Sequence, residues 1–273
     1  MSPDQYLRKW NLEAPTKLGE TQTSHIYKVR FEGKPAVLKM LTPLGSKSEA
    51  NAGHALKYFG GHGAVRLLAD DEGAYLLEFL PGRRLKDLVL SGRDDEATEI
   101  AGLVVKRLQD PSRVRLRDFS PKLTPLRENF RALFSLAKNP TSDAVFKRGA
   151  EVAERLLATE TDVAVLHGDI HHTNIIESED RGWVALDPSG LIGERTYDVA
   201  NLFFNPDDLP DLVESRKRVQ AVCERLSAQL GFDSKRVLDF AFAYGCLSSA
   251  WCLEDGLGPE RRLRITHLID QLR

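Results

Sequence analysis

Residues 165–190 read V-L-H-G-D-I-H-H-T-N-I-I-E-S-E-D-R-G-W-V-A-L-D-P-S-G and hold most of the chain's concentrated chemistry. Two short apolar runs, 175–177 and 183–186, flank the turn-forming stretch 178–182, so they should pair as an antiparallel hairpin. In a hairpin the start of one strand lies beside the end of the other. Asn174 precedes the first run and Asp187 follows the second, which brings a carboxamide oxygen and a carboxylate to the same end. Two hard oxygen ligands suit Mg2+, which keeps several waters and is usually held by one or two protein groups together with substrate phosphates. Asp169 stands five positions before Asn174, in a polar loop after the apolar strand 162–166, where it can take a proton from an incoming hydroxyl as a general base. The rival chemistry is a metal cluster of His167, Asp169, His171 and His172, since imidazole and carboxylate suit zinc or iron. It leaves Asn174 and Asp187 without a purpose.

The elements that must hold these residues can be read outward from them. Residues 16–79 read as short strands broken by one helical stretch, the signature of a small sheet. Strands are expected over 24–31 and 35–41, joined at Glu32-Gly33-Lys34. A helix is expected over 46–59, ending at Gly60-Gly61. Strands resume over 65–69 and 74–80 across an acidic turn at residues 70–73. Pro81-Gly82 breaks the pattern. Beyond it the periodicity is helical, over 94–108, 125–137, 144–159, 213–230, 234–251 and 259–272, and residues 110–124 read as a loop. The fold class is therefore α+β, with a five-stranded antiparallel N-terminal lobe (1–80) carrying one helix and a mostly helical C-terminal lobe (81–273) carrying the hairpin.

Composition narrows the function classes. The chain has 273 residues, 42% hydrophobic and 29% charged, values ordinary for a folded globular protein. Lys and Arg (38) nearly balance Asp and Glu (40), for a net charge of -2, which argues against a nucleic-acid partner. No apolar run is long enough to span a bilayer and the N-terminus lacks a signal core, so a cytoplasmic location is expected. The three cysteines are read as buried, reduced thiols. Oligomeric state leaves no mark in the sequence.

The pattern H-G-D-x-x-x-x-N followed by an apolar strand and L-D-P resembles the catalytic and metal-binding loops of aminoglycoside phosphotransferases, relatives of the protein kinases. More narrowly, residues 166–174, 181–194 and 243–251 resemble streptomycin 6-kinases of the aminoglycoside and hydroxyurea resistance family. The likeness covers most of the chain and is most specific over 165–205. It implies a protein-kinase-like bilobed fold, Asp169 as base and Asn174 and Asp187 on Mg2+. Gly168 stands where protein kinases carry arginine, which points to a small-molecule acceptor.

The resemblance extends to the donor site. A-V-L-K at 36–39 is similar to the kinase strand whose lysine meets the α and β phosphates of ATP, with Glu49 on the next helix as its partner. The phosphate-covering loop departs from the kinase pattern, with Gly19 as its one glycine. Hydroxyls of Thr21, Thr23 and Ser24, with backbone N–H groups, are expected to cradle phosphate instead. Glu78, Phe79 and Leu80 would form the hinge that meets adenine. His167 is expected to support the loop, and Asp198 in T-Y-D-V-A-N to hydrogen-bond to it.

For a cationic acceptor, carboxylates are wanted: Asp207 and Asp208, beside Asp211 and Glu214, or Glu254 and Asp255. The expected activity is ATP- and Mg2+-dependent phosphorylation of an aminoglycoside such as streptomycin. Two other readings stay open: a kinase for hydroxyurea, a metabolite sugar or an amino alcohol, and a catalytically silent nucleotide-binding module.

Overall fold

The structure, a computed structural model, describes residues 3–49, 51–110 and 122–273. Most of the expected loop at 110–124 therefore lies outside the described residues. Five antiparallel strands, β1 (Glu13–Glu20), β2 (Ser24–Phe31), β3 (Lys34–Leu41), β4 (Leu67–Asp71) and β5 (Ala74–Glu78), form one sheet in the order β1-β2-β3-β5-β4. Glu32 and Gly33, with φ of 50° and 74°, turn β2 into β3, the left-handed pair that a two-residue hairpin loop requires. Strand alternation then divides β3 between two faces. Ala36, Leu38 and Met40 are buried against Tyr6 and Leu12, contributed by α1 (Asp4–Lys9) and the residues after it. Val37 and Lys39 face the other way, into a cleft.

The sheet matches expectation more closely than the helical text beside it. The helix expected over 46–59 is two pieces, α2 (Gly45–Ser48) and α3 (Ala52–Phe59), and α1 adds a helix before β1. Glu49 thus lies at the C-terminal cap of α2, not within a helix as expected.

Beyond β5 come α4 (Leu85–Leu90), α5 (Asp94–Leu108), α6 (Leu126–Asn129), α7 (Arg131–Ala137) and α8 (Ala144–Ala158). After the site-bearing strands follow α9 (Pro210–Val213), α10 (Arg216–Leu230), α11 (Ser234–Glu254) and α12 (Glu260–Asp270). The stretches expected as single helices over 125–137 and 213–230 are each interrupted. Residues 237–250 of α11 are buried on every face, as befits a helix enclosed by α7, α8, α12 and a 3₁₀ segment (Arg195–Phe204). Among the described residues no helix is long and apolar enough to cross a membrane.

Short strands, one before α6 and the rest between α8 and α9, place the site. Strand β7 (Val163–Leu166) pairs antiparallel with β10 (Leu191–Glu194), which runs parallel to β6 (Thr124–Pro125). The expected hairpin is present as β8 (Ile175–Ser178) and β9 (Gly182–Ala185), in the register Ile175↔Ala185 to Ser178↔Gly182. Its flanks are gripped from both sides. Val65 N–H donates to Ala185 O (2.8 Å), and Ala185 N–H to Gly63 O (2.8 Å). Glu177 N–H donates to Arg83 O (3.0 Å), where Gly82 lies so close that a Cβ would stand 1.9 Å from Glu177 O.

Candidate active site

The hairpin register delivers the geometry read from its sequence. Leu186 N–H donates to Asn174 O (2.7 Å), extending the pairing by one step and leaving Asn174 and Asp187 at its open end. Asp187 has φ 54° and precedes Pro188, a left-handed backbone that a non-glycine residue holds only when its surroundings impose it. The Asn174 Nδ2 amide donates to Asp169 Oδ2 (3.0 Å) and to Asp169 O (3.2 Å). No described residue donates to its Oδ1, so that oxygen is free. Asn174 Oδ1 and the part-exposed Asp187 carboxylate are hard oxygen donors, the type magnesium prefers.

Lys39 enters from β3. It is 5% exposed, with Nζ 2.6 Å from Glu49 Oε2 and 3.2 Å from Asp187 Oδ1. Burial works against its ammonium, but Asp187 and Glu49 outweigh burial and hold its pKa above the ordinary lysine value. One cation thus ties the five-stranded sheet to the hairpin end. Beside it lies a mainly apolar slot between Leu18, Ile26 and Val37 above and Ile176 and Leu186 below, closed by Glu78, Phe79 and Leu80. The Glu78 carboxylate is turned to Arg181, Arg66 and the Arg66 N–H.

The turn expected to cover the phosphates bonds largely to itself. Thr21 Oγ1 accepts from Ser24 N–H (3.0 Å) and Thr23 N–H (3.3 Å), and lies 3.1 Å from Ser24 Oγ. Ser24 is 2% exposed. The Thr23 and Ser24 N–H groups are therefore satisfied inside the turn by the Thr21 hydroxyl. Thr21 and Thr23 remain at the surface and Gly19 lies on β1.

The loop carrying Asp169 is fixed from beneath. Asp198 is buried and accepts from Gly168 N–H (2.7 Å), His167 N–H (3.1 Å) and the Gln109 amide (3.0 Å). Burial nevertheless pushes its pKa up to about 6. Gly168 has φ 83°, and a Cβ there would stand 2.8 Å from Leu191 Cγ, so glycine is required. His167 Nε2 donates to Leu186 O (2.8 Å) while Nδ1 accepts from Asp169 N–H (3.3 Å). Both ring nitrogens are thereby used, which removes His167 from the rival metal cluster. Among the described residues no group of three or more His, Cys, Asp and Glu is arranged to hold a metal.

Burial lowers the pKa of His167 to about 4 and that of His172, whose ring nitrogens have no hydrogen-bond partner among the described residues, to about 3. Each histidine therefore contributes stability that is complete above about pH 6.5 and is lost as pH falls toward those values. Asp198, raised from 3.8 to about 6, acts oppositely: its contribution is lost as pH rises through 6 and regained on acidification. Two losses against one gain leave a net fall of roughly 3 kcal/mol between pH 7 and 5, at about 1.4 kcal/mol per proton per unit. Urea midpoints measured across that range check this; equal midpoints would contradict it.

The acidic acceptor candidates separate. Asp208 pairs with Lys86 (2.6 Å) and Asp207 lies 3.9 Å from Arg262. Asp255 caps α11, and Glu254 lines a cavity of about 500 Å³ with Glu128, Asn129, Arg131, Trp251 and Ser189, a size typical of small-molecule sites. Sequence reading missed Glu128 and Arg131, since the cavity draws on separate segments and no local pattern joins them. It also missed Asn201, whose Nδ2 donates to Asp169 Oδ1 (2.8 Å). A signal existed: Asn201 is three residues after Asp198, and in a 3₁₀ turn such residues share a face.

Residues 9–256 match the family model described as Aminoglycoside/hydroxyurea antibiotic resistance kinase. The chain belongs to that family. It is a small-molecule phosphotransferase. The chain is 38% identical to the streptomycin 3''-kinase of Klebsiella pneumoniae, with 92% of each covered. It is 30% identical to the streptomycin 6-kinase of Streptomyces glaucescens, covering 93% of this chain and 82% of that one. Its fold matches a thermostable mutant of aminoglycoside phosphotransferase APH(4)-Ia in ternary complex with ADP and hygromycin B, at TM-score 0.62 and 15% identity, covering 98% and 97% of the chains. The fold is thus protein-kinase-like, as expected.

Proposed function

We propose that this kinase inactivates an aminoglycoside such as streptomycin by phosphorylating one of its hydroxyls with ATP and magnesium. The observation that carries the reading is the meeting of Lys39, Asp187, Asn174 and Asp169 where the apolar slot ends. Residues 1–80 would bind the nucleotide, with adenine against the Glu78–Leu80 segment and Lys39 on the α and β phosphates. Residues 81–273 would bind the acceptor. Asn174 and Asp187 would hold magnesium, which when bound neutralises charge on the phosphates. Asp169 receives the acceptor's proton as its oxygen attacks the γ-phosphorus, and ADP leaves on the opposite side.

The acceptor cavity supports a cationic, hydroxyl-rich substrate. Glu128 and Glu254 form no ion pair among the described residues, and Trp251 supplies a flat apolar surface. Such carboxylates suit guanidinium or ammonium groups; uncharged hydroxyurea would leave both unused. ADP release measured against streptomycin, other aminoglycosides, hydroxyurea, sugars and amino alcohols tests the proposal. Turnover restricted to uncharged acceptors would refute it. Glu254→Gln is expected to raise the streptomycin KM about tenfold while leaving the ATP KM unchanged, in line with loss of one charged hydrogen bond.

A further inference from the structure

We propose that Asn201 is a positioning residue that holds the Asp169 carboxylate in one orientation, and that Asn205 decides which end of the Asn201 amide faces it. This rests on the reading of Asp169 as the base. A carboxylate rotates easily about its last torsion, so a base needs an external hold. Asn174 supplies one hydrogen bond, but it also has a proposed metal to serve. Asn201 has no such second duty and is 7% exposed.

Its amide cannot turn over. Asn205 Nδ2 donates to Asn201 Oδ1 (2.7 Å) and to Asn201 O (3.1 Å), so only the NH2 end of Asn201 is left for Asp169. Asn205 is held in turn: Arg218 Nη2 donates to its backbone oxygen (2.8 Å), and Asp94 on α5 grips Arg218 through contacts of 2.8 and 3.1 Å. Asn205 and Arg218 are 7% and 6% exposed, which keeps competing water from this relay.

The test uses ADP release with ATP and streptomycin, together with urea midpoints. Asn201→Ala is expected to lower kcat about ten- to hundredfold, as for a lost hydrogen bond to a charged group, with the ATP KM within about twofold of wild type. Asn201→Asp has the right shape but no N–H, and should be equally impaired. At position 205 the order is diagnostic. Asn205→Asp can only accept, so it draws the Asn201 NH2 away and turns Oδ1 onto Asp169; Asn205→Leu leaves the amide free to choose. Asn205→Asp should therefore have the lower kcat, whatever the order of their urea midpoints.

Wild-type kcat in Asn201→Ala, or kcat values that merely follow the urea midpoints, would overturn the inference. If Asn205→Asp does not fold, the Asn201 pair alone decides it. Asp169→Ala in the same assay separates the two levels. An inactive Asp169→Ala beside fully active Asn201 variants rejects this inference alone, whereas an active Asp169→Ala rejects Asp169 as base and this inference with it.

Discussion

Asp169→Asn is expected to lower kcat by about 10²–10⁴, the usual worth of a positioned general base. Its neighbours make the effect more specific than loss of a charge. Asp169 now accepts from two amides, Asn201 on Oδ1 and Asn174 on Oδ2. An asparagine offers one oxygen and one NH2, so one of those donors must face another donor. Asn201 is locked by the 2.7 Å bond from Asn205, whereas Asn174 is held only by the longer 3.2 Å bond from its Nδ2 to Asp169 O, so Asn174 is the one that turns and gives that bond up. Its Oδ1 would then bond to the new NH2 and leave the proposed metal position. Asp169→Asn should therefore weaken magnesium-nucleotide binding several-fold, whereas Asp169→Ala should lose turnover with nucleotide affinity nearly intact. Calorimetry beside the ADP assay distinguishes them. Turnover within tenfold of wild type in both variants would remove Asp169 from the chemistry.

Lys39→Met should damage both activity and stability. Loss of the charge from the proposed phosphate site is expected to lower kcat by about 10²–10³, the scale of removing one donor from a preorganised site. The fold suffers because Glu49 and Asp187 lose the ammonium between them. Removing one partner of a fully buried pair costs about 3–5 kcal/mol, but these side chains are 18% and 41% exposed. Water recovers part of that, leaving about 1–3 kcal/mol. A fall in the urea midpoint without added nucleotide, together with the loss of turnover, is the expected pair of results. Glu49→Gln keeps a hydrogen-bond acceptor for Lys39 and should sit between wild type and Lys39→Met on both measures. Unaltered ATP kinetics in Lys39→Met would place the phosphates elsewhere.

The parts legible in the sequence were those whose partners are near in the chain. The β8–β9 hairpin follows from two apolar runs and a turn between them, and a hairpin cannot form without bringing Asn174 beside Asp187. The β2–β3 turn followed for the same reason. The errors have an equally local cause. The pattern over 46–59 is continuous in helical text, yet the chain breaks after α2, and Tyr75 Oη from β5 donates to Glu49 O (2.9 Å) at that break. At the turn 21–24 the sequence displays hydroxyls, and only the structure shows that Thr21 Oγ1 already accepts from the Thr23 and Ser24 N–H groups.

Residue types and short spacings by themselves determined the fold class, the hairpin with Asn174 and Asp187 at its open end, and the place of Asp169 five positions before Asn174. Tertiary structure alone decided how these are held. Asn201 reaches Asp169 across 32 positions, Lys39 reaches Asp187 across the cleft, and Glu128 and Glu254 share a cavity although a large part of the chain separates them. Hairpin pairing is set by local turn geometry and side-chain alternation, whereas such long-range contacts exist only after burial has brought the separate elements together.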